Sequence, residues 1–370
     1  MIIHRLKTKA IFLVLAKFVF FGILAITPGL SSVRSTFANQ NLGESPTGDD
    51  KKIIYRFPGT HNPNPVEGRL YLQPSGVHAD QVIMGTVVDL SAGTAAEYNP
   101  FFHSADDPSG GIRVNSDIFT LQLSHGFRIK GLKIEAGGIV RSYRDADNSA
   151  LSVFLVDFHH FAGHPENIPP AGTPYQSNVG ENRTAVIGQD GKMYITTVDL
   201  FAKLQLFEES TDNFVPNLTM TLSTRIPTTG NGFDTFGAGT TLAASKHITD
   251  RILMIGSLSL VYQNLSPSHF NASNITTEKM SADLFGGFVA DFGEPGGWYT
   301  SFGIRFTPSK IHYAGVSDTY GWGGVAEMAL VYQSAKKDWE WYVQFSEGAY
   351  NQKRSREPDF LISTGLRWLF

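Results

Sequence analysis

The sequence predicts an all-β fold: a transmembrane, antiparallel, up-and-down β-barrel of twelve strands, with a short helix in one long extracellular loop. Three observations predict it. Segments in which apolar and polar residues alternate recur from Gln81 to Phe370. The connections between them are alternately short and long. The last segment, 359–370, sets Phe360, Ile362, Leu366, Trp368 and Phe370 on one parity, with Thr364 the only polar member. Ser363, Gly365 and Arg367 share the other parity with Leu361 and Leu369. A period of two describes a strand with one greasy and one largely polar face. In lipid such a strand must find a partner on each side, because an open sheet edge leaves backbone groups without hydrogen bonds.

In chain order, the first element is a secretory signal over residues 1–38. Arg5, Lys7 and Lys9 precede an apolar run from Ala10 to Ile26, broken only by Lys17, and a polar stretch leads to cleavage after Ala38. Basic, apolar, then small is the order such a signal requires. These 38 residues hold five basic and no acidic side chains, so the remainder carries 25 Lys and Arg against 34 Asp and Glu. An acidic balance of that size argues against a nucleic-acid partner, whose phosphates demand the opposite sign. There is no Cys, which removes disulfides, thiolate metal sites and a lipid-modified N-terminal cysteine. Residues 39–80, rich in Pro, Gly and Asn, form a periplasmic lead-in or a plug that folds back into the barrel.

The barrel itself occupies 81–370. Its strands fall at about 81–91, 118–128, 132–142, 193–206, 217–227, 236–246, 251–263, 279–291, 298–307, 322–333, 339–347 and 360–370. Most have the length that crosses a bilayer at a tilt. In the second strand Phe119, Leu121, Leu123 and Phe127 oppose Thr120, Gln122, Ser124 and Arg128. Connections after even-numbered strands are mostly tight, and those after odd-numbered strands are mostly long, which puts both ends of the barrel on the periplasmic side. Every Trp in the chain, Trp298, Trp322, Trp339, Trp341 and Trp368, lies on the apolar parity near a strand end. With Phe370 they make the interfacial aromatic belt of a membrane barrel.

The polar parity supplies the candidate functional residues, those expected to line the lumen. Its cations are Arg128, Lys133, Arg141, Lys203, Arg225, Arg305 and Arg367. Its anions are Asp89, Glu135, Asp199, Asp283, Glu327 and Glu340. A ring of one sign would signal ion selectivity. This mixture points instead to an interior cross-linked by ion pairs, or to a narrow solute path. The long connection 143–192 holds Leu151, Phe154, Leu155, Phe158 and Phe161 at helical spacing, with Gly163 and Pro165 to stop the helix. Asp157, His159, His160 and His164 form its polar flank. His160 and His164 share the spacing of paired metal ligands but lack the built-in base of a His-Glu-x-x-His motif, so neither a metal nor a cofactor is expected.

Two resemblances add to this reading. The ending at Phe370, with apolar residues at alternate positions before it, resembles the terminal signature of bacterial outer-membrane barrels. That implies the outer membrane of a Gram-negative bacterium, contact with its lipid and lipopolysaccharide, and insertion by barrel-assembly machinery that reads the last strand. The stretch from Leu151 to Pro165, followed by Asn182-Arg183, resembles an uncharacterised family of proteobacterial outer-membrane proteins, a domain of unknown function. This family has a short helix of the same hydrophobic, Asp, Phe-His character. It implies a barrel and assigns no activity, so no functional residue is carried over.

The function expected from these features is a narrow channel or transporter for a small solute. The alternatives are an outer-membrane enzyme acting on lipid, or a structural barrel whose long loops bind a partner. A lipid hydrolase needs a nucleophile and a base within hydrogen-bond reach. Ser124 and His125 are adjacent in sequence and therefore point to opposite faces of their strand.

Overall fold

The computed structural model describes residues 72, 82–99, 112–145, 194–209, 215–226, 236–264, 275–292, 297–308, 311–313, 322–336, 338–350 and 360–370. Its strands are β1 (Gly85–Asn99), β2 (Ile112–Ile129), β3 (Leu132–Asp145), β4 (Tyr194–Phe207), β5 (Asn217–Ile226), β6 (Phe236–Thr249) and β7 (Ile252–Asn264). They continue with β8 (Ile275–Thr277), β9 (Met280–Asp291), β10 (Trp298–Pro308), β11 (Ile311–Tyr313), β12 (Trp322–Gln333), β13 (Trp339–Tyr350) and β14 (Phe360–Leu369). Twelve of these close into one barrel in the order β1-β14-β13-β12-β10-β9-β7-β6-β5-β4-β3-β2. All neighbours are antiparallel, so the expected up-and-down topology and strand number are those observed. β8 and β11, three residues each, pair with one another in a separate two-stranded sheet on the long-loop side. The sequence reads both as loop, being too short to show a period.

The short connections have the backbone that tight hairpins require. Between β2 and β3, Lys130 and Gly131 both have positive φ, 49° and 84°. That is the condition for the two-residue turn whose twist matches the strands it joins. The barrel is closed by β1 and β14, paired from Val87↔Leu369 to Ala96↔Phe360. Thr86 and Phe370 exchange both backbone hydrogen bonds at 2.9 Å, one residue pair beyond the ladder.

Two boundaries are corrected. The first strand, expected at 81–91, begins at Gly85 and runs to Asn99. Val82 and Ile83 continue the apolar pattern, but their N–H groups leave the ladder. Val82 donates to Gln205 Oε1 at 2.9 Å and Ile83 to Glu135 Oε2 at 3.1 Å. Gly85 makes the corner, with φ of 94° and a position where a Cβ would stand 2.3 Å from the Phe370 carbonyl oxygen. Strand β2 likewise starts earlier than expected, at Ile112 rather than 118.

The segment preceding β1 touches the inner wall at both ends of the barrel. Leu72 is fully buried and its N–H donates to Gln263 Oε1 at 2.8 Å. It lies over Gly237, where a Cβ would come within 2.8 Å of the Leu72 Cβ. Gln263 and Gly237 stand near the long-loop ends of β7 and β6, whereas Gln205 and Glu135 stand near the short-turn ends of β4 and β3. The signal over 1–38, the rest of 39–80, and the loop helix with Asp157, His159, His160 and His164 lie outside the described residues. No helix occurs among the described residues.

The sense of burial is inverted relative to a soluble protein. Along β5 the buried residues are Asn217, Thr219, Thr221, Ser223 and Arg225, and the leucine and methionine positions between them face out. Leu123 is 54% exposed and Met254 53%, while Arg141 and Asp199 are 0% exposed. Exposing that much contiguous apolar surface is unfavourable in water and costs nothing against lipid chains.

Candidate functional site

The alternation that makes the outer wall greasy turns every second side chain inward, and there the charged residues meet in groups. The first group straddles the closing seam. Arg367 on β14 donates Nε to Asp89 Oδ2 on β1 and Nη1 to Glu340 Oε2 on β13, each at 2.9 Å. Tyr342 on β13 donates its hydroxyl to Asp89 Oδ1 at 2.8 Å, and the Arg367 guanidinium lies 5.6 Å from the centre of its ring. Gln333 on β12 and Tyr299 on β10 donate to Glu340 Oε1 at 2.9 and 3.3 Å. Five neighbouring strands are thus joined by one hydrogen-bonded set near the short-turn end.

A second group lies on β2, β3 and β4. Glu135 accepts from Ser124 Oγ at 2.8 Å on one oxygen, and from Lys203 Nζ and the Ile83 N–H, each at 3.1 Å, on the other. A third lies on β3, β4 and β5, where Asp199 accepts from Arg141 Nη1 and from Arg225 Nε and Nη2. A fourth pairs Arg305 on β10 with Glu327 on β12 at 3.0 Å. These pairs are dry enough that removing one partner would strand the other charge in a medium that solvates it poorly.

The remaining residues read from the polar parity fall elsewhere. Asp283 is buried on β9. Arg128 is exposed beside the β2–β3 hairpin, and Lys133 on the other arm of that hairpin reaches Glu208 at 2.9 Å. Both therefore mark the short-turn mouth of the barrel. Ser124 faces inward to Glu135, and His125 faces outward to the Thr86 hydroxyl at 3.0 Å. The two do not meet.

On the outer wall, Trp298, Trp339 and Trp341 are exposed and Trp368 is half-buried, all toward the short-turn end, with Phe370 beyond them. Trp298 packs tilted against Tyr332 and edge-on against Trp341 at centroid distances of 5.2 and 6.0 Å, and Tyr332 contacts Trp339 at 5.6 Å. Trp322 opens β12 at the opposite, long-loop end. Sequence reasoning missed Tyr299, Tyr342, Gln205, Gln263 and Gln333. Each sits on the polar parity, the one signal that could have found them, but a reading confined to charge passes over neutral donors.

An apolar wall around a hydrogen-bonded, ion-paired interior, closed without an edge, defines a transmembrane β-barrel. No family model matches the sequence, and no curated protein matches it. Solved structures do. The COG4313 outer membrane channel from Pseudomonas putida F1 aligns with a TM-score of 0.52 at 11% identity, over 81% of this chain and all of that one. The KdgM porin aligns at 0.39 with 9% identity over 77% of this chain and 99% of its own. A Pseudomonas aeruginosa FadL homologue aligns at 0.38 with 10% identity over 86% of this chain and all of its own. The likeness to the first is one of fold: the chain folds as an outer-membrane β-barrel does.

Proposed function

We propose that the protein is an outer-membrane channel for a small solute in a Gram-negative bacterium. One observation carries the reading: a closed barrel whose inner wall is polar from the Asp89, Arg367 and Glu340 set at one end to Arg305 and Glu327 toward the other. The Pseudomonas putida barrel of similar fold is itself described as a channel. With most of its charges paired internally, the described part of the wall presents no single-sign ring, which favours a path for small solutes over an ion-selective filter. Leu72, held by Gln263 over Gly237, supports a narrowed lumen with the chain before β1 inside it.

The outer wall supports contact with lipid and lipopolysaccharide. A hollow of about 480 Å³ lies over the seam, rimmed by Leu90, Phe119, Leu121, Trp341 and Trp368. Its apolar rim suits acyl chains. The pairing of Phe370 with Thr86 supports a role for β14 as the strand that assembly machinery engages. Planar-bilayer recording of the refolded protein tests the channel reading, with discrete conductance steps expected. A silent bilayer, together with no solute entry in a liposome-swelling assay, would sink it.

A further inference from the structure

On β10, β12, β13, β14 and β1 the register stacks inward side chains in rows across the strands. The row nearest the short turns is Gln333, Glu340, Arg367 and Asp89, hydrogen-bonded in series from one to the next. The next holds Tyr299 and Tyr342, whose hydroxyls point back to Glu340 and Asp89. Tyr342 leans over Gly365, its register partner, where a Cβ would meet the ring at 2.4 Å. The third row is Ser301, Ala329, Gln344, Ser363 and Gly93. It holds no charge, and Gln344 is its only long side chain. Ser346 follows Gln344 by two residues on the same face.

Gln344 is 0% exposed, and among the described residues neither its amide nitrogen nor its amide oxygen has a hydrogen-bond partner. The hydroxyls of Ser301, Ser346 and Ser363 are buried and unpartnered as well. Each such group destabilises the barrel by about 1–3 kcal/mol unless something else satisfies it. The buried cations of the inner wall are committed, among the described residues: Arg367 to Asp89 and Glu340, Arg305 to Glu327, Lys203 to Glu135, and Arg141 and Arg225 to Asp199. An anion would require a cation not already engaged. What stays unspent in this row and beside it is neutral and offers donors and acceptors together, an amide and three hydroxyls. A molecule with alternating hydroxyls matches that set, because hydroxyls exchange donor and acceptor roles.

We propose that Gln344, with Ser301, Ser346 and Ser363, forms a binding subsite for a neutral polyhydroxylated solute, a sugar or polyol. This rests on the channel reading and names its solute class. The test uses proteoliposomes of the full-length refolded protein and three solutes of matched size: D-glucose, gluconate and glucosamine. Glucose is expected to enter fastest. Gln344→Leu should slow glucose about tenfold, the equivalent of one to two lost hydrogen bonds, with the charged pair unchanged. Ser363→Ala should do the same more weakly. Gln344→Leu should also raise the unfolding temperature, since an orphaned amide is replaced by an apolar group of similar size. Equal rates for the three solutes, a glucose rate indifferent to Gln344→Leu, or a lowered unfolding temperature would overturn the subsite. If no solute enters, the channel reading fails separately. The subsite is then judged in detergent, where glucose must raise the unfolding temperature of the wild type but not of Gln344→Leu, and no shift overturns it.

Discussion

At the scale of single residues, the turn side of the barrel carries a pH-sensitive contact outside the membrane. Glu209, just after β4, accepts from the His247 N–H at 2.9 Å and from its ring Nδ1, and has Lys246 at 3.5 Å. Burial opposes its charge. The His247 hydrogen bonds and the attraction of His247 and Lys246 outweigh that, so the carboxyl titrates below its ordinary value of 4.5. A lowered folded pKa means the contact stabilises fully above the unfolded value and is lost as pH falls through the folded one. Hydrogen exchange should therefore find the His247 amide protected at pH 7 and exposed in Glu209→Gln, with the two proteins converging once the carboxyl is protonated. Arg367 is the opposite case, buried in the wall. On parity alone Arg367→Gln is a mild lumen change that leaves insertion nearly normal. In the structure it strands Asp89 and Glu340 close together, a loss of about 3–5 kcal/mol. Urea unfolding in micelles should show that loss, and Arg367→Lys should recover part of it.

At the scale of elements, the strands were readable because period two leaves no ambiguity over ten or more residues. The faces of Asp89, Glu135 and Arg141 followed from parity. Their partners did not, because parity says which side a residue faces and nothing of which distant strand lies beside it. The start of β1 was misplaced for a related reason. Val82 and Ile83 have strand-like side chains, and only the interior acceptors Gln205 and Glu135, far off in sequence, take their backbone out of the ladder. The unpartnered amide of Gln344 is likewise invisible until its neighbours are known. Two predictions belong here. Deleting Phe370 removes both hydrogen bonds to Thr86 and should impair insertion far beyond the ~2–3 kcal/mol of one aromatic side chain, read as loss of heat-modifiable migration of outer-membrane fractions on a gel. Gly237→Val should displace Leu72 from its notch and raise single-channel conductance, and unchanged conductance would show that Leu72 does not narrow the path.

At the scale of the whole molecule, the barrel is inside-out, and its two surfaces should respond oppositely to charge. Leu123→Arg, at a site 54% exposed on the outer wall, should cost about 2–4 kcal/mol if it sits near the bilayer midplane. Refolding into vesicles should report this as a lower folded fraction. The seam network has a different whole-molecule consequence. Asp89 and Arg367 are 278 residues apart in sequence, so their contact requires both ends of the barrel to be present and side by side. Until β14 arrives, Asp89 on β1 and Glu340 on β13 stand at opposite edges of an open sheet and lack the guanidinium they share. Completion brings both carboxylates to one guanidinium. The seam thus favours the finished barrel alone: a chain that lacks β14, or holds it out of register, leaves the same two carboxylates without their guanidinium.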